Sequence, residues 1–221
     1  MDISDALSES FEYAKEAVWG KWMKWILFLV CIIIFPLIPI IFGYQVDVMR
    51  GKKPAPELKG FLKLWIDGFK YLVIGFLWML PAVIVFLVFL LPFIPAIMSG
   101  SMQAILMAAG AAVIGLLLAI VVAFIMNLFA IIGVIRFART GSMGQGFSLS
   151  AILATIRGIG WGTYIFALIA LWFVVFAISF ILSLIPYLGF VLLLIVAPAV
   201  AILVARYQSQ LYDSAGPAPA A

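Results

Sequence analysis

Histidine is absent from the 221-residue chain, and cysteine occurs once, at Cys31. No disulfide can form within the chain, and a His-based catalytic triad, a His metal site and an imidazole proton relay are all excluded. Cys31 lies in an apolar run and reads as a small buried hydrophobe. Charge is scarce as well: 10% of the residues are charged, against about 25% in a soluble domain. Residues 25–44, 71–97, 102–135, 161–185 and 187–205 carry no Asp, Glu, Lys or Arg. Proton-coupled carriers and membrane-embedded hydrolases usually need an ionisable group inside such segments. Nothing in the composition calls for a metal or a cofactor, and neither is expected.

What fills the space is hydrocarbon. The chain is 67% hydrophobic with a mean hydropathy of +1.31, where a soluble domain is about 45–50% apolar. A water-soluble core of this size cannot hide that excess, so the chain needs lipid as its solvent. The net charge of +4 is no nucleic-acid signature. The cations stand between apolar segments, where they anchor a membrane face.

The reading is an all-α integral membrane bundle with four or five membrane segments and about three interfacial amphipathic helices. Residues 1–21 form the first of these helices, with Ile3, Leu7, Phe11, Ala14 and Val18 on one stripe and Asp2 or Ser4 at its start. They are acidic and amphipathic rather than basic and then apolar, so no cleaved signal peptide is expected. The membrane domain covers residues 22–206, with apolar segments at 22–44, 70–97, 102–135, 161–184 and 188–206. Residues 207–221 read as a disordered tail.

Trp22, Trp25 and Tyr44 bracket the first segment as interfacial aromatics do. Pro36 and Pro39 predict a kink or a break in it. Pro81, Pro92 and Pro95 predict breaks in the second segment. Residues 58–69 and 147–158 read as the other two surface helices. An amphipathic stretch of about a dozen residues thus precedes an apolar segment three times, which has the look of a repeated unit.

Ten of the thirteen cations, from Arg50 to Arg206, lie in the 45–70 connection, the loop after the third segment and the C-terminus. The turns near Gly100 and Pro186 carry no charge. The positive-inside rule puts the three basic regions, C-terminus included, in the cytoplasm and the two turns outside. The N-terminus lies outside if residues 22–44 cross once. It lies inside if they enter and return, a geometry that protein-buried backbone permits.

Two stretches carry a likeness: Gly43-Tyr44-Gln45-Val46-Asp47-Val48-Met49-Arg50-Gly51-Lys52, and Pro56-Glu57-Leu58 with Trp65-Ile66-Asp67-Gly68-Phe69-Lys70 continuing to Leu80-Pro81. With the amphipathic start, they resemble DUF4013, a family of multi-pass membrane proteins found mainly in archaea. The resemblance implies a multi-pass fold and an archaeal source, and it implies no activity.

Arg50, Lys52, Lys53 and Lys70 are candidates for an anion or head-group site, since cytoplasmic cation clusters bind anionic lipid. Asp67, one turn from Lys63 and near Lys70, reads as half of a surface ion pair. Ala104, Ala108 and Ala112, and on a neighbouring face Ala111, Gly115, Ala119 and Ala123, let helices approach closely, within the chain or between copies. Asn127 continues the second row and needs a polar partner at membrane depth. Gly158, Gly160 and Gly162 make a hinge rather than a nucleotide loop, because no strand precedes them and no Lys-Ser/Thr follows.

Three functions compete. The first is a non-enzymatic, lipid-associated or accessory/scaffold component, whose partners are membrane lipids, a second copy or another membrane protein. The second is an oligomeric channel or facilitator for a small solute, built on the third segment. The third is an intramembrane enzyme, resting only on Asp47, Glu57 and Asp67.

Overall fold

A computed structural model describes residues 2–34 and 37–216. Among them are nine α-helices and no strand: α1 Ile3–Val18, α2 Trp22–Ile33, α3 Ile38–Met49, α4 Phe61–Leu90, α5 Phe93–Ser99, α6 Met102–Thr140, α7 Leu149–Ile159, α8 Trp161–Ser183 and α9 Gly189–Asp213. Helix satisfies every backbone group within its own segment, which is what an apolar chain in lipid requires. Four stretches are long and apolar enough to cross a membrane: α4 continued by α5, α6, α8 and α9. The chain divides into two compact units, Met1–Leu72 with Ile132–Ala221, and Val73–Ile131.

All thirteen Lys and Arg and all nine Asp and Glu fall in the first unit; the second has none. In that charge-free unit, α4 and α6 approach at Gly115, where an added Cβ would lie 2.1 Å from the Phe89 Cβ. Trp78 and Phe129 pack with ring centroids 5.8 Å apart. Pro81 does not break α4 as expected, because one lost hydrogen bond is tolerable inside an apolar helix whose neighbours hold it. The break comes at Leu91-Pro92, and Pro95 sits in the first turn of α5, where no backbone donor is needed.

In the first unit, residues 22–44 double back. α2 has 12 residues, about 18 Å, against a hydrocarbon core of about 30 Å. Its Lys24 Nζ donates to the Tyr44 hydroxyl of α3 at 2.8 Å, and Phe28 meets the Tyr44 ring edge-on at 4.9 Å. Cys31 is buried as expected, beside Ile40 and Leu64. Pro39 lies in the first turn of α3, a position its fixed φ suits; Pro36 lies outside the described residues.

Residues 58–69 are not a separate surface helix. α4 starts at Phe61 and runs on unbroken, with Phe61, Leu62, Trp65 and Phe69 exposed on its first turns. At the other end α9 continues to Asp213, so Tyr207–Asp213 are helical rather than part of a disordered tail. The reason is burial: Tyr207, Gln208, Ser209 and Leu211 are enclosed, and the Tyr207 hydroxyl donates to the Ala167 carbonyl of α8 at 3.1 Å. Residues 217–221 lie outside the described residues.

Candidate functional site

The polar chemistry of the first unit starts from two glycines. A Cβ on Gly43 would lie 1.8 Å from the Leu64 carbonyl oxygen, and one on Gly68 would lie 1.6 Å from that of Pro39. α3 and α4 therefore cross with their backbones in contact, a geometry only glycine admits. One turn beyond the crossing stand Asp47 and Arg50 at the end of α3, facing Lys63 and Asp67 at the start of α4.

Arg50 donates to Asp47 and, at 2.8 Å, to Asp67. Its Nε donates to the Ala138 carbonyl of α6 at 3.3 Å. Both carboxylates are 7% exposed. Lys63 lies 3.6 Å from Asp47. Asp67 is thus no surface partner of Lys63 or Lys70: it points inward to a guanidinium 17 residues away in sequence.

A second knot lies beside the first. Arg139 donates to Ser209 at 2.9 Å and to both oxygens of Asp213 at 2.8 Å. Ser209 donates to the Met49 carbonyl at 3.4 Å. Gly51, at φ 80°, leaves room for the Arg139 head, 2.8 Å from where a Cβ would stand.

The third knot docks α1 on α9. Arg206, 4% exposed, donates to Glu9 at 2.6 Å and lies over the Tyr13 ring at 5.0 Å. Lys53 pairs with the same carboxylate. Gln210 donates to Ser10 at 3.1 Å, and the Tyr13 hydroxyl to the Lys52 carbonyl at 3.0 Å. The Lys53 ammonium and then the Arg206 guanidinium hold the Glu9 carboxyl below its usual range. Burial pushes the Tyr13 hydroxyl up to about 12, so it remains a donor at neutral pH.

The face that α1 buries is Ala6, Ser10, Tyr13, Ala14 and Ala17. The stripe read from the sequence runs alongside it, with Ala14 and Val18 buried but Phe11 59% exposed. Small residues let α1 sit close against α9; the larger apolar ones face outward.

The family model for a protein of unknown function, DUF4013, matches residues 26–187. The chain belongs to the DUF4013 family. No curated protein and no solved structure matches it.

The DUF4013 match contains the Gly43–Gly68 crossing and the Arg50 knot whole. It leaves out α1 and all of α9, hence the Glu9–Arg206 contact. Of the residues proposed to hold an anion, Arg50 is taken up by two carboxylates and Lys53 by Glu9. Lys52 is exposed and Lys70 half-buried, with no ion pair among the described residues. Of the small-residue rows, Ala108, Gly115 and Ala119 are buried, Gly115 against Phe89 of the same chain. Ala104, Ala111, Ala112, Ala123 and Asn127 are half-buried. Arg136 is 5% exposed and donates to Gln145 at 2.7 Å.

Sequence reasoning missed Ser10, Tyr13, Gln145, Ser209, Gln210 and Asp213. One signal was available: Arg206, Ser209, Gln210 and Asp213 recur every three or four residues, a polar stripe on a helix rather than a tail.

Proposed function

We propose that this DUF4013 chain is a non-enzymatic, lipid-associated membrane component, a multi-pass scaffold or accessory protein. The observation that supports it is the closed set of ion pairs around Arg50, Arg139 and Arg206. These guanidiniums are turned onto carboxylates of the same chain, which holds the helix ends together and leaves those acids poorly placed for acid–base work. The acids on which an enzyme would rest are so engaged, Asp47 and Asp67 by Arg50 and Glu57 by Lys59. Outside this layer the helices present Leu, Ile, Phe and Val, the surface that lipid solvates.

The basic segments of the first unit, the 45–70 connection, the loop after α6 and the C-terminal end of α9, face the cytoplasm by the positive-inside rule, and the doubling back of α2 and α3 supports putting the N-terminus there with the C-terminus. The turns at Gly100 and Tyr187 face the other side. The family likeness alone carries an archaeal cell membrane as the setting. The row that would build an oligomeric channel is engaged at Gly115 by Phe89, which makes the channel the weaker reading.

Native mass spectrometry of the protein gently extracted from its own membrane tests the proposal. A monomer or a complex with another membrane protein, carrying lipid, is the expected result. A homo-oligomer that also passes small solutes through protein-only vesicles overturns it, as does turnover of a substrate by the purified chain.

A further inference from the structure

α1 does not close completely on its neighbours. Between it and the helices beside it, in the first unit, runs a groove of about 370 Å³, within the usual size of a small-molecule site. Phe11 and Val18 of α1, Trp25 of α2, Ile178 of α8 and Val196 and Leu203 of α9 form its walls. From Val196 to Leu203 it follows α9 for about 10 Å.

Its lining is hydrocarbon, from Phe11, Val18, Ile178, Val196 and Leu203. Pro198 lies inside α9 and has no N–H to offer the Leu194 carbonyl. The carbonyl of the next residue, Ile195, accepts from the Trp25 indole at 2.7 Å. Trp22 stacks on Trp25 at 5.9 Å, and Trp19, 67% exposed, lines the rim. Aromatics of this kind sit at head-group level.

One ionisable side chain lines the groove, Lys15, which is exposed and makes no ion pair among the described residues. Three acids of α1, Glu9, Glu12 and Glu16, line a separate hollow with Lys53, and the fourth, Asp5, does not line the groove. An occupant therefore meets one cation, no carboxylate, and a long apolar trough.

We propose that the groove holds one hydrocarbon chain of an anionic membrane lipid, with the head group held at Lys15. This rests on the reading of the chain as membrane-embedded. An amphiphile with one negative end matches the pattern of the walls, and the surrounding bilayer supplies it.

The test uses the full chain in phosphatidylcholine vesicles doped with phosphatidylglycerol bearing a photoreactive diazirine in one tail. Cross-linked peptides are mapped by mass spectrometry for the wild type, Lys15→Gln, Lys15→Arg and Ala199→Phe. Adducts are expected on residues 11–25 and 195–203. Lys15→Gln is expected to lower their yield about fivefold, the effect of one surface cation on an anionic lipid, while Lys15→Arg retains it and Ala199→Phe, which fills the trough, abolishes it. Adducts spread evenly over the outer faces of α4, α6 and α8, unchanged in Lys15→Gln, overturn the proposal. So does equal labelling by a phosphatidylcholine probe. Release of the wild type from the vesicles by a carbonate wash contradicts the membrane reading itself, which separates the two failures.

Discussion

Gly68 faces Pro39 with no room for a side chain: a Cβ on it would lie 1.6 Å from the Pro39 carbonyl oxygen and 2.7 Å from the Gly43 nitrogen. This contact between α3 and α4 brings Arg50 to Asp67, and through Arg50 the Ala138 carbonyl of α6. The first prediction follows from it. Gly68→Ala or Gly43→Ala forces the two backbones apart and costs about 3 kcal/mol or more, at the upper end of overpacking. Gly162→Ala, with nothing within 4 Å of the added carbon, is neutral or slightly stabilising. Thermal melting of the detergent-solubilised variants checks this; melting points for all three within a degree of wild type would rule out the close crossing.

Arg50 lies between two buried carboxylates. Arg50→Met leaves Asp47 and Asp67 without their shared cation and costs about 3–5 kcal/mol, the usual penalty for breaking a buried pair from one side. Adding Asp47→Asn and Asp67→Asn recovers most of that loss, because no buried charge is then left alone. A triple variant as unstable as the single one would mean that Arg50 works through its bond to Ala138 rather than through the carboxylates.

Glu9 links α1 to α9 in a pH-dependent way. Its carboxyl is held below its ordinary value of 4.5 by Lys53 and Arg206, so the contact adds stability above that value. The contribution is lost as pH falls through the lowered one. Wild type is therefore expected to melt above Glu9→Gln at pH 7, with the gap closing as the pH falls below 4.5 through the lowered value. A gap constant from pH 7 to pH 3 would contradict the charge-based account of α1 docking.

Tyr44 joins three segments: its hydroxyl donates to the Pro56 carbonyl at 2.9 Å and accepts from Lys24 at 2.8 Å. Tyr44→Phe keeps the ring against Phe28 and removes both bonds. A loss of about 1–2 kcal/mol is expected, with earlier proteolysis of the 50–60 connection than in wild type. Unchanged proteolysis would show that Lys24, through its own bond to Pro56, suffices to hold that connection.

The membrane segments were legible in the sequence because hydropathy and charge are local quantities. The fourth segment, read as 161–184, is α8 at Trp161–Ser183, and the turn at Ile185-Pro186-Tyr187 falls where expected. The ionic layer was not legible, because its bonds reach across the fold. Asp67 finds Arg50 17 residues away, Arg139 finds Asp213 after 74, and Arg206 finds Glu9 after 197. Gly43 and Gly68 both stood in the stretches that carry the family likeness, yet only the crossing explains why neither has a side chain. α1 was read on its most apolar stripe, whereas docking uses the smaller residues next to it. Prolines misled in proportion to their surroundings: Pro81 is carried inside α4, while Pro92 ends the helix run.

The central claim is a layer of charged side chains on one membrane face, with both termini on that face and α2 and α3 returning to it. In a Cys31→Ala background, single cysteines at Ser8, Ser142, Ser214, Ser101 and Leu188 are exposed to a membrane-impermeant maleimide, in intact cells and in inverted vesicles. The account predicts that Ser8, Ser142 and Ser214 label only in inverted vesicles, and Ser101 and Leu188 only in intact cells. Labelling of Ser8 together with Ser101 would mean that residues 22–44 cross the membrane once, and would contradict it.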